Sequence, residues 1–216
     1  MTATAVNAAI VVIGKGFDPS RLNIDYLHLK EIVPTKWGWQ LQGTPLVTPL
    51  ISTVAFDKGA SILVQQDRIQ VVHAGLNFDP LSTNVQEIIR KLVTENTDKE
   101  YQSVGLNFNG VIPELNNNKF LMERFGFSEQ KIKNTTLEKL EAVYFSSQRQ
   151  DARLNFALKA GRMTPLGQVE QNIVLVEFNY DCQLGAKNAS GALAAIDRFA
   201  EAWSDYSHIV SAIIAD

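Results

Sequence analysis

The residues of this chain with obvious chemical potential are few and far apart. Ile10-Val11-Val12-Ile13-Gly14-Lys15-Gly16 has the outline of a strand feeding a phosphate loop. The dinucleotide fingerprint needs a third glycine and a helix start, but here the chain runs on into Phe17-Asp18-Pro19. A Walker loop needs Ser or Thr after its lysine, and Lys15 is followed by Gly16. A tight turn after a strand is the better reading. The three histidines, His28, His73 and His208, lack the paired spacing of metal ligands and read as packed or surface residues. Cys182 is the single cysteine, so it forms no intrachain disulfide and no multi-cysteine metal site. Asp181 beside it opposes thiolate formation, which argues against a nucleophile. No catalytic residue, metal or cofactor is expected.

Polar residues inside otherwise apolar strands are the next candidates. Glu177 and Asn179 share one phase of a long strand with Ile173 and Leu175, while Val174, Val176, Phe178 and Tyr180 share the other. Asn107 and Asn109 pose the same question on an earlier strand. Such residues either line a pocket or stand where the sheet meets water, and the solvent edge is the favoured reading. If a pocket exists, Glu177, Asn179, Asn107 and Tyr180 are its candidate ligand-binding residues, beneath the closing helix. Trp37 and Trp39 lie in a proline- and glycine-flanked link. They cap the core, or they anchor a partner, since aromatic residues dominate interface energetics.

The elements that must position these residues are legible as patterns. Ala9 to Ile13 is a β-branched run that suits a buried strand. Leu22 to Ile32 fits a helical face ended by Pro34. Ser52 to His73 comes in short apolar bursts broken at Lys58-Gly59 and at Gln66-Asp67-Arg68, an antiparallel meander of three strands. Val85, Ile88, Ile89, Leu92 and Val93 form a single helical stripe, with Thr83 and Gln86 spaced as a capping box. Val104-Phe108, Ala142-Ser147, Ala152-Lys159 and Asn172-Cys182 read as further strands, and Asn118-Phe125 as a short helix. From Ser190, a good N-cap, a helical stripe runs almost to the end, about 24 residues or roughly 36 Å. The expected architecture is α+β: a mostly antiparallel sheet with packed helices and a long C-terminal helix. A single domain over 1–216 is expected. Each half reads as βββα, so a duplicated unit with halves 1–113 and 114–216 is a hypothesis.

Composition narrows the classes. Of 216 residues, 45% are hydrophobic and 20% charged, enough to bury a core without metal or disulfide staples. The net charge of -3 comes from 20 basic and 23 acidic residues with no basic block, so a nucleic-acid partner is not expected. The longest N-terminal apolar run is about six residues, against roughly 20 for a membrane span, and no basic region precedes it. A soluble cytoplasmic protein without a membrane partner is the expectation.

Phe17-Asp18-Pro19-Ser20, Tyr26-Leu27, Ile32-Val33-Pro34, the Asp67-Arg68 strand and Val104-Gly105-Leu106-Asn107-Phe108 form one ordered series. In this order the chain resembles a group of uncharacterised bacterial proteins with a similar F-[DN]-P start and a Gly-aliphatic-Asn-Phe strand. The resemblance covers about the first half and implies an intact domain, with no activity or site residues to transfer. The leading expectation is a non-enzymatic protein-interaction or self-association module. The alternative is a small-molecule binding protein or enzyme with a pocket between sheet and C-terminal helix.

Overall fold

The computed structural model describes residues 3–113, 116–126, 139–149, 151–164 and 169–215. Its strands are β1 (Thr4–Lys15), β2 (Leu46–Val47), β3 (Ile51–Ala55), β4 (Ala60–Gln65), β5 (Arg68–Ala74), β6 (Glu100–Pro113), β7 (Ala142–Arg149), β8 (Ala152–Met163) and β9 (Gln171–Gln183). The helices are α1 (Ile24–Leu29), α2 (Val85–Thr94), α3 (Asn117–Arg124), α4 (Ala189–Ile196) and α5 (Phe199–Ile214). The strands form one nine-stranded antiparallel sheet in the order β2-β3-β4-β5-β1-β6-β9-β8-β7. The α+β architecture with its long C-terminal helix is therefore as the sequence patterns indicate.

Local chemistry accounts for the meander. The β3–β4 turn needs Gly59, whose φ is +81° and whose absent Cβ would lie 2.3 Å from the Ala74 carbonyl oxygen. The β4–β5 turn falls on Gln66-Asp67, between Gln65 and Arg68, which pair directly. β1 runs on through Gly14 and Lys15, which pair with Tyr101 and Glu100, and the turn comes at Gly16, whose φ is +79° and after which Phe17 goes back into the core.

Read along the sheet, β3-β4-β5-β1 is mirrored by β6-β9-β8-β7. Each run starts with a central strand, passes through a helix, makes a three-strand meander that returns to that central strand, and ends in a helix. β1 and β6 lie antiparallel where the runs meet. Counted this way, the second run begins with β6, after the loop that follows Thr94.

Every described helix packs on one face of the sheet. Ile10, Val12, Ile69, Leu106, Phe108, Phe178 and Tyr180 point to that face and are buried. α2 contributes all five residues of its stripe to this layer. The C-terminal helix crosses β6 and β9, with Phe108 at 5.0 Å from the Phe199 ring and 5.2 Å from Trp203. No helix among the described residues is long and apolar enough to cross a membrane.

Two helix starts differ from the local patterns. The Thr83/Gln86 capping box does not form. Thr83 donates its hydroxyl to the Pro80 carbonyl at 2.7 Å, closing a 3-10 turn, and Asn84 is the N-cap. Gln86 instead donates to the Ile196 carbonyl at 3.2 Å, so a free helix-end carbonyl on a neighbouring element takes the side chain. At the C-terminal helix Asn188, not Ser190, is the N-cap, accepting from the Gly191 N–H at 3.0 Å. That helix is also interrupted at Asp197-Arg198. There the Arg198 guanidinium reaches Asp151 at 2.7 Å, Glu201 at 3.0 Å and the Tyr180 hydroxyl, which pins the helix to the sheet.

Candidate functional site

Because the helices occupy one face, the residues on the opposite phase of each strand meet no described helix. On β6 that phase carries Ser103, Gly105, Asn107 and Asn109; on β9, Glu177, Asn179 and Asp181; on β8, Arg153, Asn155 and Lys159; on β7, Tyr144, Ser146 and Gln148. The register sets them in rows across the strands. Asn107 faces Asn179, Asn179 faces Asn155, and Asn155 faces Ser146.

That row is hydrogen-bonded from end to end. Arg153 Nε donates to Ser146 Oγ at 2.9 Å, and Ser146 Oγ donates to Asn155 Oδ1 at 3.1 Å. Asn155 Nδ2 donates to Asn179 Oδ1 at 3.3 Å, and Asn179 Nδ2 donates to Asn107 Oδ1 at 2.6 Å. All the donors run the same way, from Arg153 towards Asn107, so each bond polarises the next. Cross-strand neighbours have Cβ atoms about 5 Å apart, a span that short amide side chains bridge well.

The next row is ionic and aromatic. Lys159 Nζ lies 2.6 Å from Glu177 Oε2 and 5.7 Å from the centre of the Tyr144 ring. The hydrogen bond to Glu177 holds the Lys159 ammonium above its ordinary pKa. The Tyr144 ring is 69% exposed. Between the rows is an open trough of about 470 Å³, floored by Asn107, Asn155, Ala157 and Asn179 and walled by Tyr144 and Glu177. One row beyond Asn107 and Asn179, next to the trough, Gly105 leaves a gap. A Cβ there would lie 3.4 Å from both Asn107 Nδ2 and Asn179 Nδ2.

Three of the four candidate ligand-binding residues, Asn107, Glu177 and Asn179, thus lie in one trough. Tyr180 does not join them. One residue on from Asn179, it faces the opposite way into the helix layer, buried and bonded to Arg198 and Glu201. Burial pushes its phenol pKa up. The trough is also not beneath the closing helix. That space is filled by Phe108, Phe178, Phe199, Trp203 and Tyr206, which stand on the strand phase facing the helix or on the helix itself. Asn155, Ser146, Arg153 and Tyr144 line the trough and Gly105 adjoins it; none of the five is among the sequence candidates. Their sequence signal is the polar phase of each strand, which carries no information on what lies across it.

Trp37 and Trp39 pack edge to core. Their rings are 4.8 Å apart, Trp39 is 5.5 Å from buried Phe56, and Lys91 Nζ lies 5.6 Å from the Trp37 ring. His73 packs on Phe78 at 4.6 Å, and its burial lowers its pKa. Cys182 is buried in the helix-facing phase, and burial pushes its thiol up to about 11. Among the described residues no group of three or more His, Cys, Asp or Glu is placed to hold a metal ion.

No family model matches this chain, and no curated protein matches it in sequence.

Proposed function

We propose that this protein is a non-enzymatic binding module for a small polar molecule, and that it binds in the trough on the face of β6-β9-β8-β7 away from the described helices. The observation that carries the reading is the in-register row Ser146–Asn155–Asn179–Asn107, hydrogen-bonded across four strands on a face that no described helix covers. A volume of about 470 Å³ is in the range of small-molecule sites. The trough's side chains fit recognition better than reaction. Amides neither gain nor lose protons in ordinary conditions, and its acid and base, Glu177 and Lys159, are spent on each other.

A specific observation favours self-association as the second reading. The sheet's edges are unequal: β2 has two residues beside Pro45 and Pro49, whereas β7 has eight. Tyr144 and Phe145 on β7 are 69% and 45% exposed. Among the described residues nothing pairs with the outer side of β7, and such edges invite pairing with a second copy.

Native mass spectrometry of gently purified protein separates the two. A monomer with a reproducible small adduct, lost in Asn179→Leu, is the expected result. A dimer without added mass, dispersed by Phe145→Lys, would replace the binding reading with self-association.

A further inference from the structure

The trough's polar groups are specific about the kind of ligand they suit. Asn107 accepts from Asn179 through Oδ1, and none of its hydrogen bonds among the described residues uses its own Nδ2 group. Asn179 Nδ2 spends one of its two hydrogens on Asn107 and keeps the other. These two amino groups converge over Gly105, each 3.4 Å from the Cβ that Gly105 lacks. Glycine weakens a strand interior, and its presence here leaves an atom-sized seat between two donors. Asp181, the direct cross-strand neighbour of Gly105 on the same face, has Arg153 on its other side and accepts from Gln183 Nε2 at 3.0 Å through Oδ2, so a partly engaged acceptor flanks the seat.

An oxygen placed there lies between two N–H donors and one strand spacing from the residue that carries a carboxylate. A carboxylate or phosphate oxygen satisfies the donors but faces Asp181 charge to charge. A cation is attracted by Asp181 but meets the amide hydrogens. A hydroxyl satisfies both, accepting from the amides and donating to Asp181. The rest of the trough repeats this character. Its ladder amides each offer donor and acceptor together, and Lys159 and Glu177 neutralise one another. The exposed Tyr144 ring offers an apolar face to C–H groups. Tyr144 stands three strand spacings across the sheet from Gly105 and four residues along it, about 19 Å away.

We infer that the trough takes a neutral polyhydroxylated ligand, an oligosaccharide. One of its hydroxyls sits over Gly105 between Asn107, Asn179 and Asp181, and a further ring lies on Tyr144. The inference rests on the trough being the binding site, and it names the class of ligand.

The side-chain amide resonances of Asn107, Asn155 and Asn179 report directly on it in nitrogen-edited NMR titrations. The probes are maltotriose, cellotriose and chitotriose as neutral ligands, with trigalacturonate as the anionic control. The expected result is saturable movement of the Asn107 and Asn179 signals by a neutral trisaccharide, with a Kd of about 1 mM or tighter. Two variants then test the seat. Asn107→Asp still accepts from Asn179 but loses its amino group. Gly105→Ala puts a methyl in the seat at ordinary contact distance from both amides. Each is expected to weaken binding by about tenfold or more, as the loss of a well-made polar contact does, with the backbone spectrum otherwise preserved.

Binding unchanged by both variants overturns the inference, as does movement of trigalacturonate-sensitive signals with no response to any neutral probe. In the latter case the trough stands as a binding site for another class of ligand. If neither these probes nor a diverse fragment library moves the three amides, the trough reading falls as well.

Discussion

The fit between Gly110 and Tyr206 gives a quantitative test of how the C-terminal helix is seated. Tyr206 on α5 is buried and stacks on Trp203 at 4.8 Å, with its hydroxyl directly over the backbone of β6. A Cβ on Gly110 would lie 2.0 Å from that hydroxyl oxygen and 3.4 Å from the ring carbon bearing it. Among the described residues the hydroxyl has no hydrogen-bond partner. A buried polar group left unpaired costs about 1–3 kcal/mol. Removing it in Tyr206→Phe forfeits some contact with Gly110, so a gain of about 1 kcal/mol, the lower end, is expected. Gly110→Ala alone forces the ring out of place and is expected to cost about 1–3 kcal/mol, the range for overpacking. Combined with Tyr206→Phe, most of that cost should vanish, because 3.4 Å from the ring is ordinary contact and only the Thr4 carbonyl, at 3.2 Å, remains tight. The cycle should therefore show a coupling of about 1 kcal/mol or more. Urea denaturation of the four proteins, followed by circular dichroism and by tryptophan fluorescence, measures it. Additivity within about 0.3–0.5 kcal/mol would refute the proposed packing, as would a Tyr206→Phe protein less stable than its parent.

Other expectations follow from the same layer. Burial pushes the Tyr206 phenol up from 10.0 to about 12. A group whose folded pKa is raised contributes stability that is whole below its unfolded pKa and is lost as pH climbs through the folded one. Stability should accordingly decline between about pH 10 and 12, by no more than about 3 kcal/mol for this residue, and Tyr206→Phe should flatten that part of the curve in pH-dependent urea melts. Cys182, buried and with its thiol pushed up to about 11, should resist Ellman's reagent at neutral pH and react only on unfolding. Rapid labelling of the native protein would contradict its placement. Asn188→Ala should cost about 1 kcal/mol of stability through loss of the helix cap, whereas Ser190→Ala should stay within about 0.5 kcal/mol. The reverse ranking in thermal melts would move the cap back to Ser190.

Much of the secondary structure was legible because its determinants are local. The α2 stripe Val85, Ile88, Ile89, Leu92 and Val93 has only one face to bury, and all five residues are buried. The alternation in β8 and β9 likewise marks two phases in advance. Caps were less legible because their partners are not local. Thr83 and Gln86 have the right spacing for a box, yet the Pro80 and Ile196 carbonyls, one created by a turn and one by a distant helix end, win their side chains.

The trough divides the same way. The sequence by itself placed Asn107, Glu177 and Asn179 on the polar phases of their strands, and by the same parity it set Tyr180 on the other side. It could not say that β6 lies beside β9, or that the helices choose the phase of Phe178 and Tyr180. Register is a tertiary property, since a slip of one residue would turn Asn179 into the core and break every bond of the ladder. Strand order and helix placement together decided that Asn107 and Asn155, 48 residues apart in the chain, converge on Asn179. The physical reason is burial. The apolar phases of β6, β9, β8 and β7 share one helix layer, and their polar phases are thereby brought together on the face that no described helix covers.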